Sequence, residues 1–404
     1  MRIRITMLSS SVVLAAGVIV GGPISSGAWL LLMPPLRASI SHPLPASYQP
    51  LHKGSIDFAT GAYIRHDEDL VLAGTPPFVL TRTYHSRDPV SRQFGVGATH
   101  NGEWHLLGDR SRFQWMELAL ENSMRIHFDR RSPGVLFANA LFEHRTSPTE
   151  FAGGKLGWVG LAWALKWSPG RLAIFKTCSA ATACAITWLR DEDGHWIHFA
   201  REGSGALRQI ITRLQRIDLE YDDARRVRLA TSTTGQSVSY TYDSRGRLAR
   251  AAASNGPVRS YTYGPSGEML TISEPGVSTE NTFEDGRCVR QVTRWRAADG
   301  SEHVRSVRVV YTVRNEAVLA ADVTENENYR MRFEFTNGYA VSETYDDGRG
   351  NPTRVTLARD PATQAVTSVT VSCTGSKGSM RQTASAVNLD PDAVKAQLYK
   401  AICS

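Results

Sequence analysis

The chain has 404 residues, 42% of them hydrophobic, and a formal net charge of +7. That length and hydrophobic content exclude a wholly disordered chain and leave room for two or three domains or one long repeat structure. The 33 Gly and 18 Pro residues, with many isolated Thr and Tyr residues, favour an all-β protein rich in turns. Because the Arg residues are scattered among Asp and Glu, we expect them to face solvent along strands, and we expect no nucleic-acid partner.

The N-terminal segment has the layout of an export signal. Basic residues precede an apolar stretch at 12–20, and small residues follow it. This pattern predicts a signal peptide over residues 1–28 and therefore a secreted or periplasmic protein. Because residues 29–33 are again apolar, an uncleaved membrane anchor reaching to about residue 36 remains an alternative. Contact with a membrane is expected only in that second case.

Residues 29–53 are rich in Pro and have few periodic apolar residues, which is typical of a linker. A first β domain is predicted over residues 54–215. Within it, residues 78–84 alternate between two sets of side chains, which is the pattern of a strand, and Gly residues mark tight turns on either side. The motif residues of this domain are Asp57, Gly61, Arg82, Thr83, Tyr84, Ser86, Gly95 and Gly97.

Trp residues are concentrated in the later part of this domain. They are Trp158, Trp163, Trp167, Trp188 and Trp196. Large aromatic side chains of this kind fill the interior of a β structure, and we favour that interpretation. A carbohydrate-binding platform is the alternative, because sugar rings stack on exposed aromatic faces.

An internal repeat follows the first domain. Aromatic residues recur at separations of 21, 21 and 20 residues, and each is followed by a turn and an apolar residue. Each copy predicts one β-hairpin, and such hairpins must pair edge to edge because a single one is marginally stable. We therefore predict antiparallel hairpin repeats over residues 216–373 that form a curved or solenoid-like sheet, with a further degenerate copy at Tyr345. The repeat-core residues are Tyr221, Tyr240, Tyr242, Gly246, Leu248, Tyr261, Tyr263, Gly267, Phe283 and Gly286.

The last segment, residues 374–404, predicts a short amphipathic α-helix over Pro391–Ile402. Asp390 is a good N-cap, Pro391 suits the first helical position, and apolar residues follow with a spacing of four. We expect this helix to cover an open end of the sheet.

The five Cys residues are compatible with an oxidising compartment. We predict one disulfide between Cys178 and Cys184, which enclose a small loop, and a second between Cys373 and Cys403. Cys288 occupies the position of Leu248 in a sister repeat, so we expect a buried free thiol there.

The repeat pattern Tyr-Asp-x-x-Gly-Arg-Leu resembles the YD repeats of the Rhs family. The stretch that ends in Arg82, Thr83, Tyr84 and Ser86, together with the later Gly residues, is similar to the N-terminal domain of those proteins. The resemblance covers residues 54 to about 351. The chain departs from the pattern at three positions, namely His85 where Asn is usual, Phe94 where Leu is usual and Ala98 where Trp is usual.

Full-length Rhs proteins are large β-shells that enclose a C-terminal toxin, and their core ends in a self-cleavage segment. Neither Asp360-Pro361 nor Asp390-Pro391 matches that segment, and 14 residues follow Asp390. The resemblance therefore implies the sheet architecture without the cleavage segment and without the toxin.

We expect a non-enzymatic scaffold that binds a protein or cell-envelope partner, with a carbohydrate ligand left open. No nucleophile elbow, metalloprotease motif, P-loop or dinucleotide fingerprint is present in the sequence, and we expect no cofactor and no metal site. One alternative is a glycan- or cell-wall-acting hydrolase with a cleft in the Trp-rich segment, where Asp193 and His195 would be tested. The other is a remnant of a longer Rhs toxin.

Overall fold

The computed structural model describes residues 54–403 with gaps at 110–111, 122–123, 148, 178–183, 298, 347, 349–351, 376–377 and 386–390. The predicted signal segment, the linker and Cys178 lie outside the described residues. Within them the chain is nearly all antiparallel β with one α-helix near the C-terminus, which confirms the prediction of an all-β chain with a C-terminal helix.

An N-terminal sheet of four antiparallel strands has the order β1-β2-β3-β6. Leu70, Leu72, Phe78 and Leu80 are buried on it. A separate two-stranded sheet of β4 and β5 lies in the chain between β3 and β6. The strands are β1 (Gly54–Ile56), β2 (Tyr63–Leu72), β3 (Phe78–His85), β4 (Ser91–Arg92), β5 (Gly95–Val96) and β6 (Ala98–His100).

The next eight strands form a closed ring, which the sequence analysis did not predict. They are β7 (His105–Gly108), β8 (Trp115–Ala119), β9 (Arg125–Arg130), β10 (Leu141–Glu143), β11 (Lys155–Trp158), β12 (Trp163–Lys166), β13 (Leu172–Thr177) and β14 (Cys184–Arg190). The first residues of β14 pair back to β7, with Cys184 opposite Leu106 and Ala185 opposite His105. The later residues of β14 pair with the following strand instead, so β14 both closes the ring and begins the next sheet.

From β14 the chain continues as one long antiparallel meander, which we call the ribbon. β16 pairs with β17 across residue 215, so the ladder is continuous there. The ribbon strands are β15 (Trp196–Arg201), β16 (Leu207–Ile211), β17 (Arg216–Tyr221), β18 (Val227–Ser232), β19 (Ser237–Tyr242), β20 (Leu248–Ala253), β21 (Val258–Tyr263), β22 (Met269–Glu274), β23 (Val277–Glu284), β24 (Arg287–Arg296), β25 (Glu302–Arg314), β26 (Ala317–Glu325), β27 (Tyr329–Thr336), β28 (Tyr339–Asp346), β29 (Thr353–Arg359), β30 (Val366–Gly375) and β31 (Gly378–Ser385).

Eight successive hairpins of the ribbon share a one-residue register shift next to the turn. The pairs that follow the shift are Arg201–Leu207, Tyr221–Val227, Tyr242–Leu248, Tyr263–Met269, Phe283–Cys288, Val313–Val318, Phe335–Ala340 and Arg359–Val366. The sequence motif therefore marks only part of the structural repeat. The predicted copy at Tyr345 falls on the β28–β29 turn, whose residues 347 and 349–351 lie outside the described part, so it stays a prediction. The described pairs beside it, from Ser342–Thr356 to Tyr345–Thr353, keep one register.

The helix α1 (Pro391–Ile402) has the predicted bounds. Its apolar residues Val394, Leu398 and Ile402 pack in one cluster with Val369 and Val371 of β30. The predicted disulfide between Cys373 and Cys403 is present and joins the end of this segment to β30. Among the residues described, no helix combines the length and the apolar character needed to span a bilayer.

Candidate functional site

The hydroxyl groups of the repeat tyrosines tie each hairpin to the one before it. The Tyr242 hydroxyl donates to the carbonyl oxygen of Val227 at 2.6 Å, and the Tyr263 hydroxyl donates to that of Leu248 at 2.8 Å. In both bonds the acceptor is the first apolar residue after the preceding turn. A tyrosine at this position therefore fixes the spacing of neighbouring hairpins, which explains its recurrence in the sequence.

The Asp, Gly and Arg residues of the motif close the turn. The carboxylate of Asp243 accepts the Arg247 backbone N–H at 2.9 Å and its Nε–H at 2.7 Å, while Gly246 takes the positive φ of +79° that the turn requires. The guanidinium of Arg247 then lies 4.9 Å from the ring centroid of Tyr263 in the next hairpin. Each residue type of the motif thus makes a contact within its own turn or with a neighbouring hairpin.

The N-terminal segment binds along the ribbon at these same turns, and we call this contact the seam. A one-residue bulge interrupts the strand ladder locally, and buried backbone groups must find other partners. The seam supplies them through the bonds Val227 N–H to Gln93 O (2.7 Å), Met269 N–H to Tyr84 Oη (3.0 Å), Cys288 N–H to Gly61 O (2.8 Å) and Val96 N–H to Gly246 O (3.2 Å). The N-terminal segment is therefore bonded to successive repeats through three backbone–backbone bonds and the Tyr84 hydroxyl.

Two of the predicted motif glycines are required by the closeness of the seam. A Cβ on Gly61, where φ is +77°, would lie 2.6 Å from Cβ of Arg287. A Cβ on Gly95, where φ is +90°, would lie 2.5 Å from the carbonyl oxygen of Gly246. Both positions therefore exclude side chains by conformation and by contact with the ribbon.

A network of buried charges lies at the centre of the seam. Arg82, which is 1% exposed, binds Asp69 through Nε at 3.0 Å and lies 3.4 Å from Asp67. On the ribbon side, the Tyr240 hydroxyl donates to Asp69 at 2.9 Å, and the Tyr261 hydroxyl donates to Asp67 at 3.0 Å. The predicted residues Arg82, Tyr240 and Tyr261 thus meet in one cluster, although they are about 160 to 180 residues apart in the chain.

Three further charged residues complete this network, and the sequence analysis missed their role. Arg65 pairs with Asp67 and with Glu274, and Arg259 lies 3.4 Å from Glu274. Burial alone would raise the pKa of Asp67, but Arg82 and Arg65 hold it well below its usual range. Arg65 and Asp67 are two apart in one strand and so share a face, which is the sequence signal that was available.

The remaining motif residues form bonds within the N-terminal segment. Asp57 accepts the Ala59 backbone N–H at 3.0 Å and the Thr60 hydroxyl at 2.6 Å, and burial raises the pKa of its carboxyl to about 6. The Ser86 hydroxyl accepts the Tyr63 backbone N–H at 2.9 Å. The Thr83 hydroxyl lies 2.9 Å from Nδ1 of His66. Gly97 has a positive φ of +71°.

A second buried polar cluster lies where the N-terminal sheet leads into the ring. Gln93 Oε1 is 3.2 Å from His100 Nε2 and accepts the Tyr221 hydroxyl at 3.0 Å. Glu103 lies 3.9 Å from the same imidazole, and burial raises the pKa of its carboxyl to about 7. Burial together with Arg201 lowers the pKa of His100 to about 3, so the imidazole is neutral near pH 7.

The five Trp residues divide into two groups. Trp163 and Trp167 are buried in the core, and Trp158 packs against it with its ring centroid 5.3 Å from that of Trp163. Trp188 and Trp196 instead lie on the outer face, because Ile197 and Phe199 of β15 point inward and the intervening residues point outward.

An open cleft of about 450 Å³ lies at the second group, and we call it the aromatic cleft. The ring of Trp188 is stacked on the cross-strand His198 with centroids 4.0 Å apart, and the Trp196 ring stands at 89° to it. The lining residues are Thr75, Trp188, Gly194, His195, Trp196, His198, Ile211, Thr212 and Arg213.

Beside this cleft, Asp191, Asp193 and His195 offer ligand atoms within 4.8 Å of one another. The turn itself accounts for two of these residues. Asp191 accepts the His195 backbone N–H at 2.8 Å, and its second oxygen lies 3.1 Å from the imidazole Nδ1. This is the geometry of Asp243 with Arg247, with His in the place of Arg, so we assign no metal to the cluster.

One arrangement in the ring has the form of a catalytic pair. His144 Nε2 is 2.7 Å from the Ser147 hydroxyl, and its Nδ1 is 2.6 Å from the carbonyl oxygen of His127. His144 is 1% exposed and Ser147 is 7% exposed, so a substrate has no direct access to either atom. These bonds hold the loop between β10 and β11 in place.

Of the cysteine predictions, the pair Cys178–Cys184 falls on a residue outside the described part and stays a prediction. Cys288 is buried and is not in a disulfide, as expected. Burial raises the pKa of its thiol to about 12.

Residues 53–128 match a family model described as "Domain of unknown function (DUF6531)". That range covers the N-terminal sheet and the first strands of the ring. No curated protein has a significant match to the chain. Among solved structures, the chain is similar to one titled "Crystal Structure of TcdB2-TccC3-TEV", with 9% identity, a TM-score of 0.29 and coverage of 81% of this chain. The chain spans 20% of the length of that protein.

Proposed function

We propose that the chain is an exported, non-enzymatic β scaffold related to Rhs/YD-repeat toxin systems, which holds a protein or cell-surface partner. In this proposal the ribbon is a curved frame rather than a closed shell around a cargo domain. The N-terminal sheet fixes the curvature of the first part of the frame, and α1 closes the last part.

The seam is the observation that carries this proposal. The motif residues Arg82, Tyr84, Tyr240 and Tyr261 direct polar groups into bonds between the N-terminal sheet and the ribbon, and Arg82 does so through the Tyr261 hydroxyl. Such bonds stabilise one shape of the frame, and they leave these side chains no free group for chemistry on a substrate. A rigid curved sheet offers side chains and strand edges to a partner, which is the recognition mode that we propose.

The test uses the full chain in the cells that export it. We expect cross-linking in intact cells to join the chain to one partner in stoichiometric amount, and we expect the purified chain to release no product from peptidoglycan, other glycans or protein. The scaffold proposal is overturned if the chain remains monomeric after cross-linking.

A hydrolase acting on glycans or the cell wall is the second candidate. It is favoured by the ionisable side chains of Asp193 and His195 at the edge of an aromatic-lined cleft. Product release that is lost in both Asp193→Asn and His195→Ala, but kept in the exposed control Glu192→Gln, would establish it in place of the scaffold.

A further inference from the structure

We propose that the aromatic cleft is a binding site for a carboxylated sugar residue, a hexuronic acid or a sugar with an equivalent carboxylate. The inference is independent of the scaffold proposal, because it concerns a cleft on the outer face and not the seam. The proposed ligand is an acidic saccharide whose ring packs against Trp188 and Trp196 and whose carboxylate binds Arg213.

The shape of the cleft favours a sugar over a flat aromatic ligand. Trp188 is already covered on one face by His198, and Trp196 meets it nearly at a right angle. A flat ring such as a nucleobase prefers to lie between parallel faces. A pyranose instead has an apolar C–H face for one indole and a rim of hydroxyl groups, and it fits a corner with polar groups at its edge.

The size of the cleft agrees with this class of ligand. Its volume of about 450 Å³ lies within the range of small-molecule sites, which is roughly 300 to 1,000 Å³. Gly194 leaves the rim open, since a Cβ there would meet nothing within 4 Å. The floor is apolar, while Thr75, His195 and Thr212 place polar side chains around it. One ring or two linked rings can therefore enter from solvent.

The charge at the rim selects an acid. Arg213 is exposed and lines the cleft, and it makes no ion pair or side-chain hydrogen bond within the described part of the chain. Most of its neighbours in sequence are paired, for example Arg208 with Glu202 and Arg216 with Asp218. An unpaired guanidinium beside an aromatic floor is complementary to a carboxylate, which it can bind through two N–H donors.

The experiment titrates the full chain with D-glucuronic acid and, separately, with D-glucose, and follows Trp fluorescence and ligand NMR. We expect saturable binding of glucuronic acid that is about tenfold tighter than that of glucose, which is the contribution of one charge-assisted contact. The variant Arg213→Ala should lower the affinity for glucuronic acid to that for glucose and leave glucose unchanged. The variant Trp196→Ala should abolish binding of both sugars.

Matched controls exist for both variants. Trp295 is stacked on the cross-strand His303 with centroids 5.3 Å apart, so Trp295→Ala removes a similar pair outside the cleft. Arg216→Ala removes an exposed guanidinium three residues after Arg213 in the sequence. Both controls should bind glucuronic acid as the unchanged chain does. The proposal is overturned if neither sugar saturates, if both sugars bind equally, or if Arg213→Ala keeps the preference for the acid.

Discussion

The ribbon has two covers on the same face, and they are built differently. The N-terminal sheet covers the hairpins up to β24 through backbone bonds and a network of six charged residues, whereas α1 covers β28 to β31 through one apolar cluster, one disulfide and one buried ion pair. A cross-strand row from Phe333 through Glu343 and Val355 to Val371 continues the covered face into the second region.

The difference concerns how each cover is specified. The N-terminal cover uses groups spread over many positions, so successive hairpins each form their own bonds to the N-terminal segment. The C-terminal cover depends on a few strong contacts, of which Lys395 with Glu343 at 3.0 Å and the disulfide are the polar and covalent members. We expect the first region to be destabilised by substitutions of its buried charged residues or its glycines. We expect the second region to be destabilised by the loss of one contact, such as the disulfide.

The largest effect is expected for Arg82→Met. Asp69 would lose its closest cationic partner while remaining buried, and breaking a buried pair in this way costs about 3–5 kcal/mol. Urea unfolding of the full chain measures this loss. The control Arg332→Met removes an exposed pair with Asp322 and should cost less than about 1 kcal/mol. Equal losses in the two variants would contradict the role of burial at the seam.

The next effect is expected for Cys403→Ser. The disulfide spans 30 residues, and the chain-entropy model assigns about 3–4 kcal/mol to closing a loop of that length. The loss should appear as faster hydrogen exchange in β30, β31 and α1, with the seam amides unchanged. Reducing agent should add nothing further in that region. Exchange that rises equally in both regions would show that the two covers are not separate.

Glu103→Gln is expected to change the pH dependence of stability. Burial raises the pKa of Glu103 to about 7 from the ordinary 4.5, so its contribution is fully present below about pH 4.5 and is lost as the pH rises through about 7. The amide stays neutral, so the stability of the variant relative to the unchanged chain should rise by about 3 kcal/mol between these two pH values. His100 and His105, whose pKa values burial lowers, act in the opposite direction in both proteins and cancel in the difference. Melting temperatures measured from pH 4 to 8 that stay parallel would contradict this expectation.

The smallest effect is expected for Gly95→Ala compared with Gly235→Ala. Both glycines have a positive φ, at +90° and +83°. A Cβ at Gly95 would contact the carbonyl oxygen of Gly246, whereas a Cβ at Gly235 would meet nothing within 4 Å. The strained conformation costs about 1 kcal/mol in both, and the contact with Gly246 should bring the cost at Gly95 to about 2 kcal/mol or more. Thermal unfolding of the two variants measures the difference, and a larger loss at Gly235 would be inconsistent with the seam.

The local parts of this structure could be predicted from the sequence because their causes are local. Tyr242, Asp243, Gly246 and Leu248 lie within one turn, so their spacing alone indicates the hairpin. The same holds for α1, where the N-cap position and the spacing of Val394, Leu398 and Ile402 determine both the bounds and the apolar side. Hairpins whose turns lack the motif, such as Val313 with Val318, have no such local signal and were recognised only by their bulge.

The sequence by itself determined an all-β chain of paired hairpins with a C-terminal helix, because strand alternation, turn chemistry and helix capping act over a few residues. The tertiary structure alone decided three features that depend on distant partners. These are the closure of the ring by β14 on β7, the meeting of Arg82 with Tyr240 and Tyr261, and the placing of Trp188 and Trp196 at a cleft with Arg213. In each case the residues are brought together by pairing or packing between different strands, which is not encoded at any one position.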